Sequence, residues 1–175
     1  FETINHRNAI YYVEDIIRKE EPFSEWQIRN IHQLILKNID DDNAGRYRQQ
    51  NVLISGATST PPDYTLLNDK MVQLVDWYNS EAHKLHPIER AAKVHADFVG
   101  IHPFIDGNGR TSRLLMNLEL LKAGYPPCVI TVESRLAYYE ALDQWMSYGK
   151  TDAFIHLVSD AVLEGFKPYQ VVLGL

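Results

Sequence analysis

The residues from His102 to Arg113 include the types of side chain that bind a nucleoside triphosphate and activate a hydroxyl group. Their order is His-Pro-Phe-Ile-Asp-Gly-Asn-Gly-Arg-Thr-Ser-Arg. His102 is of the residue type that best accepts a proton near neutral pH. Asp106 is a hard oxygen ligand, suited to a Mg²⁺ ion that already bridges two phosphates. We therefore interpret the segment as a candidate site for nucleotide chemistry.

A helix boundary is expected to gather these side chains around one loop. Pro103 ends the preceding helix, and Arg110 begins the next one. Residues 106–109 then form a tight loop at a helix N-terminus, where unpaired backbone N–H groups and the positive end of the helix dipole favour an anion. Gly107 and Gly109 allow the backbone to approach phosphate oxygens and to adopt positive φ.

Two arginines distinguish the segment from common glycine-rich loops. Arg110 and Arg113 lie three residues apart, on one side of the first helical turn, so both can reach the same polyphosphate. A calcium-binding EF-hand is excluded because the twelfth position from Asp106 is Asn117, where a bidentate glutamate is needed. A P-loop is excluded because no Gly-Lys-Ser/Thr follows the glycines. Taken singly, each residue is typical of ordinary turns, and it is their combination that favours a function.

Composition and charge limit the classes of function. The 175 residues are 45% apolar and 23% charged, which is typical of one globular domain. The net charge of −6 argues against broad binding to nucleic acid, and the absence of a run of about 18 apolar residues argues against a membrane partner. The single cysteine, Cys128, and the lack of a targeting signal favour a cytoplasmic, bacterial protein. Because the chain opens at Phe1, we expect a fragment.

Helical periodicity dominates the chain and predicts an all-α fold. Ser24 is a candidate N-cap, and Gly124 and Pro126 are stop signals. Residues 51–62 contain an apolar run and a glycine turn and predict a short β-hairpin. One mostly helical domain is expected over residues 1–175. Its helices are predicted at about residues 10–17, 24–35, 72–77, 86–100, 110–124, 134–147 and 151–165.

The segment 102–113 matches the motif HPFx(D/E)GNGRxxR of the Fic family at every position. The resemblance covers about residues 5–165 and is close to the Fic type also found in animals. It extends beyond the motif to residues 44–48, 51–62, 85–89 and 114–127. It implies the Fic fold, a compact helical bundle with a small β-hairpin flap beside the active-site loop.

The resemblance also implies a reaction and a role for each residue of the motif. Fic enzymes mostly transfer AMP from ATP to a Ser, Thr or Tyr hydroxyl of a protein, and the chain itself is one candidate target. By analogy, His102 is the general base and Asp106 holds Mg²⁺. The phosphate-binding set implied by the family is Gly107, Asn108, Gly109, Arg110 and Arg113.

Further implied contacts concern the protein target and the nucleoside. The flap would pair with the target through main-chain hydrogen bonds; its implied docking residues are Val52, Leu53, Ile54, Ser55 and Gly56. Tyr139 aligns with a position that contacts the nucleoside, whereas we interpret Tyr138 as a structural aromatic. Met146 stands where relatives carry an adenine-binding asparagine, so the identity of the donor base is left open.

Regulation and direction of the reaction are also left open. Many Fic proteins carry an inhibitory helix of the form (S/T)xxxE(G/N), whose glutamate pairs with the second arginine, here Arg113. Residues 160–165 have the same spacing of glutamate and glycine but begin with aspartate, and we interpret them as an exposed helix end. We expect an upstream inhibitory helix outside this fragment, or an antitoxin-like partner. The alternative functions are AMP removal, another phosphoryl or nucleotidyl transfer, and a non-catalytic nucleotide-binding adaptor.

Overall fold

Seven α-helices follow one another along residues 1–174, the part of the chain that the computed structural model describes. Two short 3₁₀ turns, Tyr64–Leu66 and Ala82–Lys84, come just before the third and fourth helices. No helix in this range combines the length and the apolar character needed to cross a membrane. The helices are α1 (Glu2–Arg18), α2 (Glu25–Leu36), α3 (Leu67–Ser80), α4 (Pro87–Ile101), α5 (Asn108–Lys122), α6 (Arg135–Tyr148) and α7 (Asp152–Leu173).

Local signals explain where the helices begin and end. The Ser24 hydroxyl accepts a hydrogen bond from the Gln27 amide at 3.4 Å, which confirms the predicted N-cap of α2. Pro87 is the first residue of α4, where its missing N–H costs no helical hydrogen bond. Gly124 follows α5 with φ of 81°, a left-handed conformation that suits glycine and ends the helix as predicted.

The core has two hydrophobic clusters, and α4 and α5 contribute to both of them. The first cluster joins these helices to α1, α2 and α3 through side chains such as Ile16, Ile31 and Phe98, each of them fully buried. The second joins them to α6 and α7 through Met116 and Phe154, which are also fully buried. Because α4 and α5 pack at the centre, the loop that connects them is held from both sides.

A buried carboxylate ties α5 to two neighbouring helices. Glu119 is fully buried, and its two oxygens accept hydrogen bonds from the Tyr78 hydroxyl at 2.7 Å and from Arg90 Nε at 2.9 Å. Lys122 Nζ lies 3.7 Å from the same carboxylate. A buried charge is tolerated only when it is paired and hydrogen-bonded, and these three groups supply that environment.

The predicted β-hairpin at 51–62 is wrong: this segment contains no strand in the structure. The segment from 49 to 63, here called the flap loop, turns at Gly56 without pairing its two arms. The second arm bonds elsewhere, because the amides of Thr58 and Ser59 donate to Asp143 of α6 at 2.7 and 3.3 Å. These side-chain bonds take the place of the ladder that a hairpin requires.

The helix that follows the motif loop begins two residues earlier than predicted. Asn108 is its first residue, and Gly107 precedes it with φ of 79°. Gly109 is therefore helical, and the expected positive φ is found at Gly107 alone of the two glycines. The loop therefore contains one left-handed glycine, followed directly by a helix N-terminus.

Candidate active site

His102 closes α4 in a left-handed conformation, with φ of 50° and ψ of 56°. The side chain is half-buried, and Nδ1 lies 3.3 Å from the Val99 carbonyl oxygen. A carbonyl oxygen can only accept, so Nδ1 carries the proton of the neutral ring and Nε2 remains an acceptor. Burial lowers the pKa of His102 below its usual value, and the positive charge of Arg48 acts in the same direction. The neutral, proton-accepting form is therefore favoured at neutral pH.

The loop after His102 is held from inside by the side chain of Asn108. This side chain is 2% exposed; Oδ1 accepts from the Phe104 amide at 3.0 Å, and Nδ2 donates to the Phe104 carbonyl at 2.8 Å. Both polar ends are thus engaged within the loop. The Asn108 side chain therefore shapes the loop, and its backbone amide lies in the first turn of α5. The implied phosphate contact of Asn108 stays a prediction.

His32 of α2 supports the loop, although no local signal in the sequence marks it as a site residue. Its ring stacks on Phe104 at 3.5 Å between centroids with an interplanar angle of 2°. Nδ1 accepts a hydrogen bond from the Gly45 amide at 2.9 Å, so Nε2 carries the proton and donates to the Asp106 carbonyl at 2.9 Å. His32 and Phe104 are both fully buried, so Phe104 anchors the loop in the core. His32 fixes the loop through one stacking contact and two hydrogen bonds.

Stability should fall in mild acid because His32 resists protonation in the folded chain. Burial lowers the pKa of His32 from 6.5 to about 4. Above pH 6.5 the ring is neutral in both states, but between 6.5 and 4 the unfolded chain binds a proton that the folded chain does not. We expect wild type to lose about 3 kcal/mol more than His32→Gln over this interval. Urea unfolding of both proteins at pH 7.0, 5.5 and 4.5 measures the difference; parallel curves would contradict it.

Gly107→Ala should destabilise the chain more than Gly124→Ala, although φ is 79° at the first and 81° at the second. A Cβ on Gly107 would lie 3.1 Å from His32 Nε2, whereas no atom lies within 4 Å of one on Gly124. The left-handed backbone alone costs about 1–2 kcal/mol with alanine, and crowding should add about 1–3 kcal/mol at Gly107. Thermal unfolding of both variants measures the two losses of stability. Equal losses would show that crowding against His32 adds no cost at Gly107.

Asp106 and Arg110 form an exposed ion pair at the start of α5. The Asp106 carboxylate accepts from Arg110 Nη2 at 2.9 Å and from the Gly107 amide at 2.6 Å. Arg110 Nη1 also donates to Glu2 of α1 at 3.0 Å. Within residues 1–174 no group of three His, Cys, Asp or Glu side chains is arranged to hold a metal ion. A single carboxylate, 68% exposed as a side chain, still fits a Mg²⁺ whose other ligands are water and substrate phosphates.

Arg113 lies one turn further along α5, against a buried tyrosine. Its positive charge acts on the Tyr138 hydroxyl, which lies 2.8 Å from His95 Nε2. Tyr138 is 3% exposed, which confirms the interpretation of this residue as structural. Burial raises the pKa of Tyr138 to about 12, and the charge of Arg113 opposes that rise. Arg113 therefore lies within electrostatic reach of a buried tyrosine of α6, which no local signal in the sequence indicates.

The residues expected near the nucleoside and the target lie on α6 and the flap loop. Tyr139 is 58% exposed on α6. Met146, also on α6, lines a cavity of about 540 Å³ between α3, α4 and the flap loop, together with Trp77 and Trp145. His102 does not line this cavity. In the flap loop, the backbone groups of residues 52–56 make no hydrogen bond within the described chain except at the Ile54 carbonyl, which accepts from Ala57 at 3.2 Å.

A family model described as Fic/DOC family matches residues 22–120. The chain belongs to the Fic family. The protein adenylyltransferase Fic of Nematostella vectensis is 41% identical over 160 residues, which is 90% of this chain and 37% of that protein. This chain thus spans little more than a third of that relative. The nematode and fly proteins matched at 37–42% identity are also animal proteins, so the expected bacterial source finds no support in them.

Solved Fic structures have the same fold as this chain. Fic-1 (residues 134–508) from C. elegans superposes with a TM-score of 0.87 at 33% identity, covering 99% of this chain and 51% of that one. A Fic-domain signaling protein from Bacteroides thetaiotaomicron gives a TM-score of 0.84 at 30% identity, covering 94% of this chain and 68% of that one. The all-helical Fic fold is therefore confirmed, without the β-hairpin flap in the described residues of this chain.

Proposed function

We propose that this Fic domain is a protein adenylyltransferase that transfers AMP from ATP to a Ser, Thr or Tyr hydroxyl of a protein. One observation carries the proposal. A histidine with an acceptor nitrogen available lies one short loop away from a helix N-terminus that bears two arginines. The name of the animal relatives, protein adenylyltransferase, supports the same reaction.

His102 is proposed as the general base of the transfer. Nε2 takes the proton of the target hydroxyl, and the oxygen forms a bond to the α-phosphorus of ATP. The bond between that phosphorus and the oxygen bridging to the β-phosphate breaks, so pyrophosphate leaves with the electron pair. The lowered pKa of His102 keeps the ring neutral at the pH where this step must occur.

The start of α5 is proposed to hold the triphosphate. The first-turn amides of residues 108–110 point out of the helix end without intrahelical partners, and the helix dipole favours negative charge there. Arg110 and Arg113 would bind the β- and γ-phosphates, and Gly107 lets the backbone approach them. Asp106 would hold Mg²⁺, which when bound supplies positive charge to the phosphate oxygens. To bind Mg²⁺, Asp106 must first release Arg110, and the exposure of the Asp106 side chain allows this.

The flap loop is proposed to dock the protein target through its backbone. The unpaired groups of residues 52–56 are available to an extended segment of another protein, and main-chain pairing does not depend on that segment's side chains. Leu53, which is 81% exposed, would lie in this contact. The proposal predicts broad tolerance for the residues around the modified hydroxyl.

Two further proposals concern the choice of nucleoside and the regulation of the transfer. Tyr139 is exposed enough to contact the nucleoside, whereas Met146 offers a base only the weak acceptor of its thioether sulfur. Weak discrimination between ATP and other nucleoside triphosphates is therefore expected. A glutamate supplied to Arg113 by an inhibitory helix or an antitoxin-like partner would block transfer, and the domain alone should favour transfer over AMP removal.

Two labelled substrates test the reaction. The domain is incubated with Mg²⁺ and a cell lysate, in parallel with α-labelled and γ-labelled ATP. Label on protein from the α position alone supports adenylyl transfer and provides a band from which the target can be identified. Label from the γ position would show phosphoryl transfer instead. No label from either, with nucleotide binding retained, would favour the non-catalytic adaptor.

A further inference from the structure

Arg48 is a buried arginine immediately before the flap loop. It is 5% exposed, and its guanidinium donates to three backbone carbonyl groups. Nη1 donates to Gln50 at 2.8 Å and Nη2 to Pro62 at 2.7 Å, which are carbonyls near the two ends of the flap loop. Nε donates to the carbonyl of His102 at 2.9 Å. A single side chain therefore joins both ends of the loop to the proposed general base.

The shape of the guanidinium makes this connection rigid. It is planar, and its five N–H donors point in fixed directions, so the three carbonyls are held relative to one another. The backbone adds a fourth contact, because the Arg48 amide donates to the Pro103 carbonyl at 2.9 Å. A lysine would keep the charge at this position but could not bond to three separated carbonyls in one plane.

The other side-chain contacts of the flap loop do not reach His102. Asn51 bonds to Asp63 at 2.8 Å, which links one end of the loop to the other. Asp143 accepts from the amides of Thr58 and Ser59, which links the second arm to α6. Among these side-chain contacts, that of Arg48 alone joins the loop to the backbone of His102.

We propose that Arg48 is a positioning residue that couples the flap loop to His102. The loop would hold the target hydroxyl and the histidine would accept its proton, so both must keep one relative position for the transfer. Arg48 provides that position without contacting the target or the nucleotide. This inference rests on the proposed function.

Two variants separate the effect of the guanidinium geometry from that of its charge: Arg48→Lys keeps the charge, and Arg48→Gln removes both. Arg46→Lys is the matched control, because Arg46 is an exposed neighbour. Both Arg48 variants should lower kcat about 100-fold, since a displacement of about 1 Å at the reacting groups has that effect. The KM for ATP should change less than about threefold, because Arg110 and Arg113 are untouched. A loss confined to KM for ATP would overturn the proposal, as would an unchanged kcat.

The pH dependence of kcat gives a second readout, because it reports the pKa of His102 and not the stability of the fold. Arg48 and Asp106 are the charged groups that act on His102, the first lowering its pKa and the second raising it. Arg48→Gln removes the positive charge, so the acid limb of kcat should move to higher pH. Arg48→Lys keeps the charge, so its acid limb should stay near that of wild type. The same shift in both variants would contradict the assignment.

Amide exchange tests the coupling without any activity. In both variants, exchange should accelerate at the hydrogen-bonded amides of Ala57, Thr58 and Ser59 and remain as in wild type in α4 and α5. Acceleration throughout the helices would mean that Arg48 serves folding alone and would overturn the proposal. If wild type transfers no AMP from α-labelled ATP, the proposed function fails, while the exchange result still decides whether Arg48 holds the flap loop.

Discussion

His102→Ala should reduce transfer of α-label to protein by about 100- to 10,000-fold, the range expected for loss of a general base. The imidazole contacts the Val99 carbonyl, whereas the proposed triphosphate contacts belong to α5. Affinity for ATP should therefore change little. Transfer is measured from initial rates with α-labelled ATP, and affinity by titration calorimetry on the same preparations.

A matched histidine serves as the control for this prediction. His83 is exposed in the 3₁₀ turn before α4, and His83→Ala should leave both transfer and binding unchanged. Transfer by His102→Ala at the wild-type rate would show that another group accepts the proton. Loss of ATP affinity together with transfer would instead assign His102 to nucleotide binding.

Glu119→Ala should lower the free energy of unfolding by about 3–5 kcal/mol, the cost of breaking a buried ion pair by removing one partner. The carboxylate is fully buried and accepts hydrogen bonds from Tyr78 and Arg90. Its removal leaves both donors without their partner between α3, α4 and α5. Urea unfolding should show a lower midpoint with an unchanged slope.

Glu140→Ala is the control, because Glu140 is exposed on α6. Its effect should stay within about 0.5 kcal/mol, as is usual at exposed positions. Glu119→Gln should lie between the two, since an amide keeps an acceptor for Tyr78 but loses the charge that pairs with Arg90. A loss below 1 kcal/mol for Glu119→Ala would mean that Arg90 and Tyr78 find solvent or new partners at little cost.

The helices could be predicted from sequence because their signals are local. Ser24 begins α2 through a bond to an amide three residues away, and Gly124 ends α5 through its own backbone conformation. The motif loop was predictable in part, since Pro103 limits where α4 can end, but α5 begins at Asn108 and not at Arg110 as predicted. Such features need no knowledge of the rest of the chain.

The flap loop shows why an apolar run next to a glycine turn did not suffice to predict a hairpin. Burial does alternate in the first arm, as in a strand, because Val52 and Ile54 are half-buried and Leu53 is exposed. A hairpin also requires the second arm to pair, and Thr58 bonds instead to Asp143, which is 85 residues away. A rule based on residue types within the segment cannot predict a contact with so distant a residue.

The supports of the active-site loop were hidden for the same reason. His32 reaches the carbonyl of Asp106 across 74 residues of sequence, and Arg48 reaches that of His102 across 54. Both contacts are made to backbone carbonyls. Because every residue has one, the sequence does not indicate which carbonyl is bound. The motif therefore predicts candidate residues for contact with a nucleotide, but not the residues that hold them in place.

The contact between Glu2 and Arg110 has a kinetic consequence. Glu2 is 71% exposed as a side chain, and Arg110 is bonded through its outer nitrogens to two carboxylates. Exposed side chains change rotamer within picoseconds to nanoseconds, far faster than a nucleotide at micromolar concentration arrives at the site. We expect the exposed partners Glu2 and Asp106 to release and recapture Arg110 many times between encounters. The arrival rate of a polyphosphate should follow diffusion and ionic strength, with no slow opening step at this arginine.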